Sequence, residues 1–364
     1  MAQGYRPALA SDEGGIWMVS DKAEQELKTS GQVMSAPDIQ AYLEQIVCQL
    51  DPQICSDIRI YLVDIPYFNA SMAPNGMLQV WTGLLLRVEN EAQLAYILGH
   101  ELGHYKERHS LERLRQIKSA SGALAAFQLV LGASGAGQYG DFAGLLAQGI
   151  VLKFSRDHER EADDRGFEMM VVAGYDPREA PSVWANLLKE REAMDESGTF
   201  VFLSTHPPSE ERTRDLSTKA ETLSAERDSW AKGVMQFNEL TKPIRFELLR
   251  NELRLRKYAA TQVLLDRFRE NVWNPGLVEF FQGELHRLRG EEPDLDLAET
   301  AYERSLKYAG TPAEAYRELG VIYYKREQFD KARSLMAQYL AEVPDAFDRP
   351  MIESYIGESE RSAR

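Results

Sequence analysis

The feature that most constrains this chain is His100-Glu101-Leu102-Gly103-His104, set inside a longer run from Glu91 to Tyr105. Leu94, Ile97, Leu98 and Leu102 recur at spacings of three and four, which predicts a helix with one buried face. Residues four apart on a helix sit one above the other, so His100 and His104 project to the same side and form a two-point grip on a zinc ion. Glu101 follows the first of them directly, which places it beside the metal rather than on it, where it can take a proton from water. With only six histidines in the chain, a chance match to this pattern is rare. The set still needs a third ligand.

The candidates lie in Ser155-Arg156-Asp157-His158-Glu159-Arg160-Glu161-Ala162-Asp163-Asp164-Arg165-Gly166. In a zinc peptidase whose third ligand is a carboxylate from a second helix, an acidic residue four positions later can hydrogen-bond a ligating imidazole and fix its tautomer. Glu159 and Asp163 have that spacing. A site closed by a third histidine ten residues after His100 fails, because Ser110 stands there. Spacing alone leaves Glu161, His158 and a purely solvated charged face open beside Glu159.

Hydrophobic content of 44% and charged content of 27% over 364 residues are those of a folded chain long enough for two units, each with its own core. A net charge of -15 argues against a nucleic-acid footprint or an anionic-membrane patch, so no nucleic-acid partner is expected. Cys48 and Cys55 stand seven apart and match neither a zinc knuckle nor a redox pair. In an oxidising compartment they would close one small loop, and elsewhere they would be two buried thiols. The first residues carry no apolar run of the kind a secretory signal needs, so the chain is cytoplasmic or a signal or anchor precedes Met1.

Residues 1–20, rich in Gly and Ser, are expected to be flexible. Residues 58–64 and 77–81 read as strands around the turn Ala73-Pro74-Asn75-Gly76, giving a small sheet beside the metal. If the second strand is an open edge, Met77, Leu78 and Gln79 would hold an extended peptide as one more strand. Residues 119–140 carry no charge but are short in apolar length and rich in Gly. They read as a loop or lid over the site rather than a span, with peripheral membrane contact through residues 119–152 as the alternative.

Taken together, the His-Glu-x-x-His helix, Asn69-Ala70 with Pro74-x-Gly76, the Ser155 to Gly166 segment and His206-Pro207-Pro208-Ser209-Glu210-Glu211-Arg212 resemble the zinc metallopeptidases typified by HtpX and the CAAX prenyl proteases. Within them the chain is most similar to the soluble periplasmic members of Gram-negative bacteria that carry tetratricopeptide repeats and degrade stalled outer-membrane barrel proteins. The resemblance covers roughly residues 15–215 and implies a gluzincin site with His100, His104 and Glu159 on one zinc. It also implies that His206, on a loop stiffened by two prolines, can reach the metal's open position and hold the enzyme shut, or swing aside and stabilise the oxyanion. The plainer reading of His206 is a loop histidine packed against Trp184 or Phe202. His158 departs from the resemblance, in a slot expected to be Arg or neutral polar. His109 reads as a rim or surface residue and His286 as a helix-face residue.

In the C-terminal half, Tyr316-x-x-Leu319-Gly320-x-x-Tyr323, Ala332-x-x-x-Met336 and Pro344 follow the tetratricopeptide spacing, and Ala298-x-x-x-Tyr302 lies 34 residues before Ala332. A degenerate further unit runs from Phe246 to Arg269.

The expected architecture is therefore α+β and mostly α. A flexible segment (1–20) precedes a gluzincin metallopeptidase domain with a small β-sheet (21–235) and an all-α tetratricopeptide-like domain (236–364). The expected activity is zinc-dependent endoproteolysis, with Glu101 and His206 catalytic, His100, His104 and Glu159 on the metal, and Asp163 behind His100 or His104. Unfolded or misassembled proteins are the expected substrates, a protein partner would bind the repeats, and the periplasm or envelope is the expected location. The alternative is a chaperone or assembly adaptor that acts through its repeats with the cleft latched.

Overall fold

The computed structural model describes residues 3–121, 154–194, 202, 206, 210–224, 229–271 and 274–362. They divide into two compact units, Met1–Leu248 and Leu249–Arg364. The boundary expected at residue 235 moves to Leu248 because the segment before it packs on the first unit. Lys232 accepts from the Ala92 N–H at 3.1 Å, and Phe237 is buried. The expected lid or membrane contact at 119–152 falls almost wholly on residues outside those described. Among the described residues, no helix is long and apolar enough to cross a membrane.

The first unit opens with α1 (Asp12–Thr29) and α2 (Pro37–Leu50). Residues 1–20 are not the loose segment expected. Ser11 caps α1 by accepting from the Gly14 N–H, Tyr5 donates to Glu13 at 2.7 Å, and Trp17 is buried. Gly and Ser counts misled here, because Ser11 is a helix cap and Gly14 sits tight against the backbone of Ala8.

Three strands follow, β1 (Arg59–Val63), β2 (Ala70–Met72) and β3 (Met77–Trp81). The order is β1-β3-β2, with β1 parallel and β2 antiparallel to β3. The central strand is therefore β3, paired on both sides, and Met77, Leu78 and Gln79 cannot take up a peptide by strand addition as expected. The sheet edge nearest the site is β2, a three-residue strand too short for alternation to reveal.

Glu24 of α1 ties the sheet to the helix layer. It accepts from Arg59 at 2.7 and 2.6 Å, from Tyr61 at 2.7 Å and from Asn75 at 3.0 Å.

After the short α3 (Thr82–Arg87) comes α4 (Glu91–Lys106), capped by the Asn90 side chain, which accepts from the Gln93 N–H at 2.9 Å. Every residue from Glu91 to Tyr105 is buried. The one-sided helix expected from periodicity is surrounded, by α2, by β2, and by α6 (Arg156–Val172) and α7 (Glu179–Glu192). Polar residues on its other faces bond to partners on the elements around it, Glu91 to Tyr42, Gln93 to Glu179 and Tyr96 to Asp163, so they do not mark solvent. The unit also contains α5 (His109–Ser121), α8 (Glu210–Ser224) and α9 (Val234–Thr241). Cys48 and Cys55 are joined in a disulfide.

The second unit is all helix. Its helices are α10 (Arg245–Arg254), α11 (Tyr258–Glu270), α12 (Pro275–Arg289) packed on α13 (Asp294–Ser305), α14 (Glu314–Lys325) packed on α15 (Phe329–Glu342), and α16 (Arg349–Ser362). Small residues bring its helices close. Gly283 of α12 lies against the Tyr302 ring of α13, and a Cβ on Gly320 of α14 would stand 2.9 Å from Met336 of α15. His286 of α12 is held by Asp294 of α13 at 3.2 Å.

Candidate active site

Helices α4 and α6 cross at glycine contacts. A Cβ on Gly99 would lie 3.1 Å from Gly166, and one on Gly103 the same distance from Ala162. At that separation the side chains of His100 and His104 meet those of Glu159 and Asp163. Ser155 caps α6 by accepting from the His158 N–H at 3.1 Å, fixing where the helix starts and so where Glu159 falls.

His206 completes the cluster, with its backbone N–H bonded to Phe202 O at 2.8 Å. His100 Nε2 lies 3.1 Å from His104 Nε2 and 3.2 Å from His206 Nδ1. Glu159 Oε1 is 3.0 Å from His206 Nδ1 and 3.5 Å from His104 Nε2, and its Oε2 is 3.7 Å from His100 Nε2. All four residues are buried, and one ligand atom from each lies within 4.8 Å of the others. Four ligand atoms held at zinc distances around a tetrahedral centre stand about 3.3 Å apart. Three imidazoles and one carboxylate at 3.0 to 3.7 Å fit that ion in both spacing and chemistry.

Glu101 is beside this set and 2% exposed. Its Oε2 accepts from the Met72 N–H at 3.1 Å, while Oε1 has no hydrogen-bond partner among the described residues and faces His206 Nε2 at 3.6 Å. Burial pushes its carboxyl up, against the pull of His206 and His100. Glu159 behaves oppositely: burial would raise it, but His206, His100 and Arg212 outweigh that and keep it low. Burial and the neighbouring His100 and His206 depress the basicity of His104, which favours the neutral ring a metal requires.

Asp163 Oδ1 lies 3.0 Å from His100 Nδ1. What the sequence reading missed is how Asp163 is held. Arg212 donates to Asp163 at 2.6 and 2.8 Å and lies 2.8 Å from Glu159 Oε2. Tyr96 donates to Asp163 at 2.8 Å and accepts from Trp184 Nε1 at 2.9 Å. Arg and His100 together outweigh burial and hold the Asp163 carboxyl low. His206 also stacks on Phe202, centroids 4.5 Å apart, so the plainer packing and the cluster contact coexist.

His109 is not the rim residue expected. It is 1% exposed and its Nδ1 lies 2.9 Å from His104 Nδ1. His158 stacks on it at 4.4 Å, which accounts for an imidazole in that slot. Glu161, open as a ligand by spacing, instead lies 3.3 Å from His109 Nε2.

Strand β2 runs past this cluster. The bonds from Trp81 N to Asn69 O and from Ala73 N to Met77 O turn the odd-numbered residues toward β3, so Ala70 and Met72 turn their backbone groups to the outer edge.

A profile for peptidase family M48 matches residues 34–220. Mitochondrial metalloendopeptidase OMA1 of Schizosaccharomyces pombe is 33% identical over 186 residues, 48% of this chain and 53% of that protein. Metalloprotease YcaL of Escherichia coli K12 is 32% identical over 152 residues, 41% of this chain and 56% of that protein. The beta-barrel assembly-enhancing protease of the same bacterium is 26% identical over 221 residues, 58% of this chain and 45% of that protein. The chain thus spans about half the length of the curated relatives it matches.

Proposed function

The chain belongs to peptidase family M48, and from that premise we propose that it is a zinc-dependent endopeptidase acting on unfolded or misassembled proteins. The observation that carries the reading is the buried cluster of His100, His104, Glu159 and His206 with the Glu101 Oε1 beside it, 3.6 Å from His206 Nε2. His100, His104 and Glu159 would hold the zinc, with Asp163 fixing the His100 tautomer. Zinc, when bound, polarises the scissile carbonyl and makes attack by water feasible near neutral pH. Glu101 takes the proton of the attacking water and returns it to the leaving amine, and a carboxyl raised by burial suits both transfers.

The substrate lies extended along the outer edge of β2 at Ala70 and Met72, where backbone groups hold it without reading its side chains. Because Met72 N–H is committed to Glu101 at 3.1 Å, the edge strand and the proton carrier move as one piece.

His206 latches the resting site. With its Nδ1 seated among the other three ligand atoms, His206 would fill the position a substrate needs, and movement of its side chain would free it. In the open state the same imidazole stabilises the oxyanion.

Envelope quality control fits a chain similar to OMA1 and to the beta-barrel assembly-enhancing protease, and the Cys48–Cys55 disulfide supports an oxidising location such as the periplasm over the cytoplasm. The helix pairs of the second unit supply a surface for clients or a partner. The latched geometry favours a second reading, an assembly adaptor that works through this surface. Complementation of a deletion strain with Glu101→Gln separates the two: an adaptor keeps its cellular activity, whereas a protease loses it.

A further inference from the structure

Two of the ligand histidines are supported in different ways. His100 turns Nε2 to the cluster and Nδ1 to Asp163 at 3.0 Å, a direct carboxylate contact. His104 turns Nε2 to the cluster, but its Nδ1 meets another imidazole, His109 Nδ1, at 2.9 Å. His109 Nε2 in turn lies 3.3 Å from Glu161 Oε2. His109 opens α5, placed there by Arg108, whose φ of 57° turns the chain sharply at the end of α4.

Two Nδ1 atoms at this distance need one proton between them. A ligand that offers Nε2 to a metal must carry its proton on Nδ1, so His104 donates and His109 accepts. His109 then holds its own proton on Nε2, where Glu161 accepts it. The ring plane of His109 is fixed by His158, stacked at 4.4 Å and 16°, whose Nε2 is held by Glu112 at 3.1 Å. Phe154 stacks on His104 itself at 4.0 Å.

The geometry points to His109 as a positioning residue for the metal ligand His104, the middle of a relay Glu161–His109–His104 that fixes the ligand tautomer through an intervening imidazole. This inference rests on the zinc reading of the site. It accounts for three residues the sequence could not place: His109, buried where a rim residue was expected, Glu161, diverted from the metal, and His158, which clamps the relay from the side.

The test is zinc affinity by chelator competition on the whole chain, with thermal unfolding of the metal-free proteins alongside. His109→Phe fills the space but offers no acceptor, and zinc binding weakens about tenfold to a hundredfold. His109→Asn, whose Oδ1 can accept where Nδ1 did, recovers most of that loss. Glu161→Ala costs less than His109→Phe, because the Glu161 side chain is 49% exposed and water can take its place. In the zinc-loaded wild type, nitrogen-15 NMR of the imidazoles finds His104 protonated at Nδ1 and His109 at Nε2, a reading that needs no variant to fold. His109 protonated at Nδ1, His109→Phe binding as tightly as wild type, or His109→Asn no better than His109→Phe would each overturn the relay alone. Wild type that takes up no zinc would overturn the relay together with the reading beneath it.

Discussion

Gly166 of α6 lies so close to His100 of α4 that a Cβ on it would stand 2.6 Å from the His100 backbone nitrogen. The neighbour is backbone in a buried helix and cannot rotate away, so Gly166→Ala must push the two helices apart. We expect a loss of about 1–3 kcal/mol in stability from overpacking and weaker zinc binding, because Glu159 and Asp163 ride on the helix that moves. Thermal unfolding and a zinc titration read the two effects, and wild-type values in both would show that the close crossing is not what assembles the site.

Arg212 joins the ligand Glu159 to Asp163 behind His100. Arg212→Met leaves two buried carboxylates short of their cation, at a cost of about 3–5 kcal/mol. Arg212→Lys restores little, because a lysine cannot reproduce the fork that donates twice to Asp163. Denaturant unfolding of the three metal-free proteins checks the order wild type, then Lys, then Met.

His206→Ala removes one of the four side chains in the cluster. Zinc-edge X-ray absorption should count four protein ligands in the wild type and three in the variant, and turnover of a short peptide should change with it. Unchanged coordination and unchanged turnover together would contradict the latch.

Burial would raise Glu24, but Arg59 and Tyr61 outweigh it and lower its carboxyl from the ordinary 4.5 to about 2. A group depressed in the folded state contributes stability above its unfolded value and loses that contribution as pH falls. The stability advantage of wild type over Glu24→Gln should therefore be complete above pH 4.5 and shrink as pH falls from 4.5 toward 2. Urea unfolding at a series of pH values measures it, and a difference independent of pH would mean that Glu24 acts through packing rather than charge.

What could be read from the sequence was whatever depends on local spacing. His100 and His104 share a face because they are four apart, Asp163 lies on the same side of its helix as Glu159 because it follows it by four, and Gly283 and Gly320 stand where their helices meet Tyr302 and Met336. What could not be read depends on contacts between distant segments. Strand β3 is central only because β2, three residues long, pairs along it. His109 is buried because α5 turns back over α4, and Arg212 belongs to the site because α8 returns to α6. Even the burial of α4 on all sides was hidden, since its polar residues bond to Glu179, Asp163 and Met72, far away along the chain.

The central claim is that one zinc held by His100, His104 and Glu159 works with Glu101 to cut peptide bonds. Zinc content and cleavage of casein, measured in parallel on the wild type and Glu101→Gln, test it most directly. One zinc per chain is expected in both proteins, with cleavage by the wild type and none by the variant. Cleavage that survives in Glu101→Gln, or a wild type that binds no zinc, would contradict it.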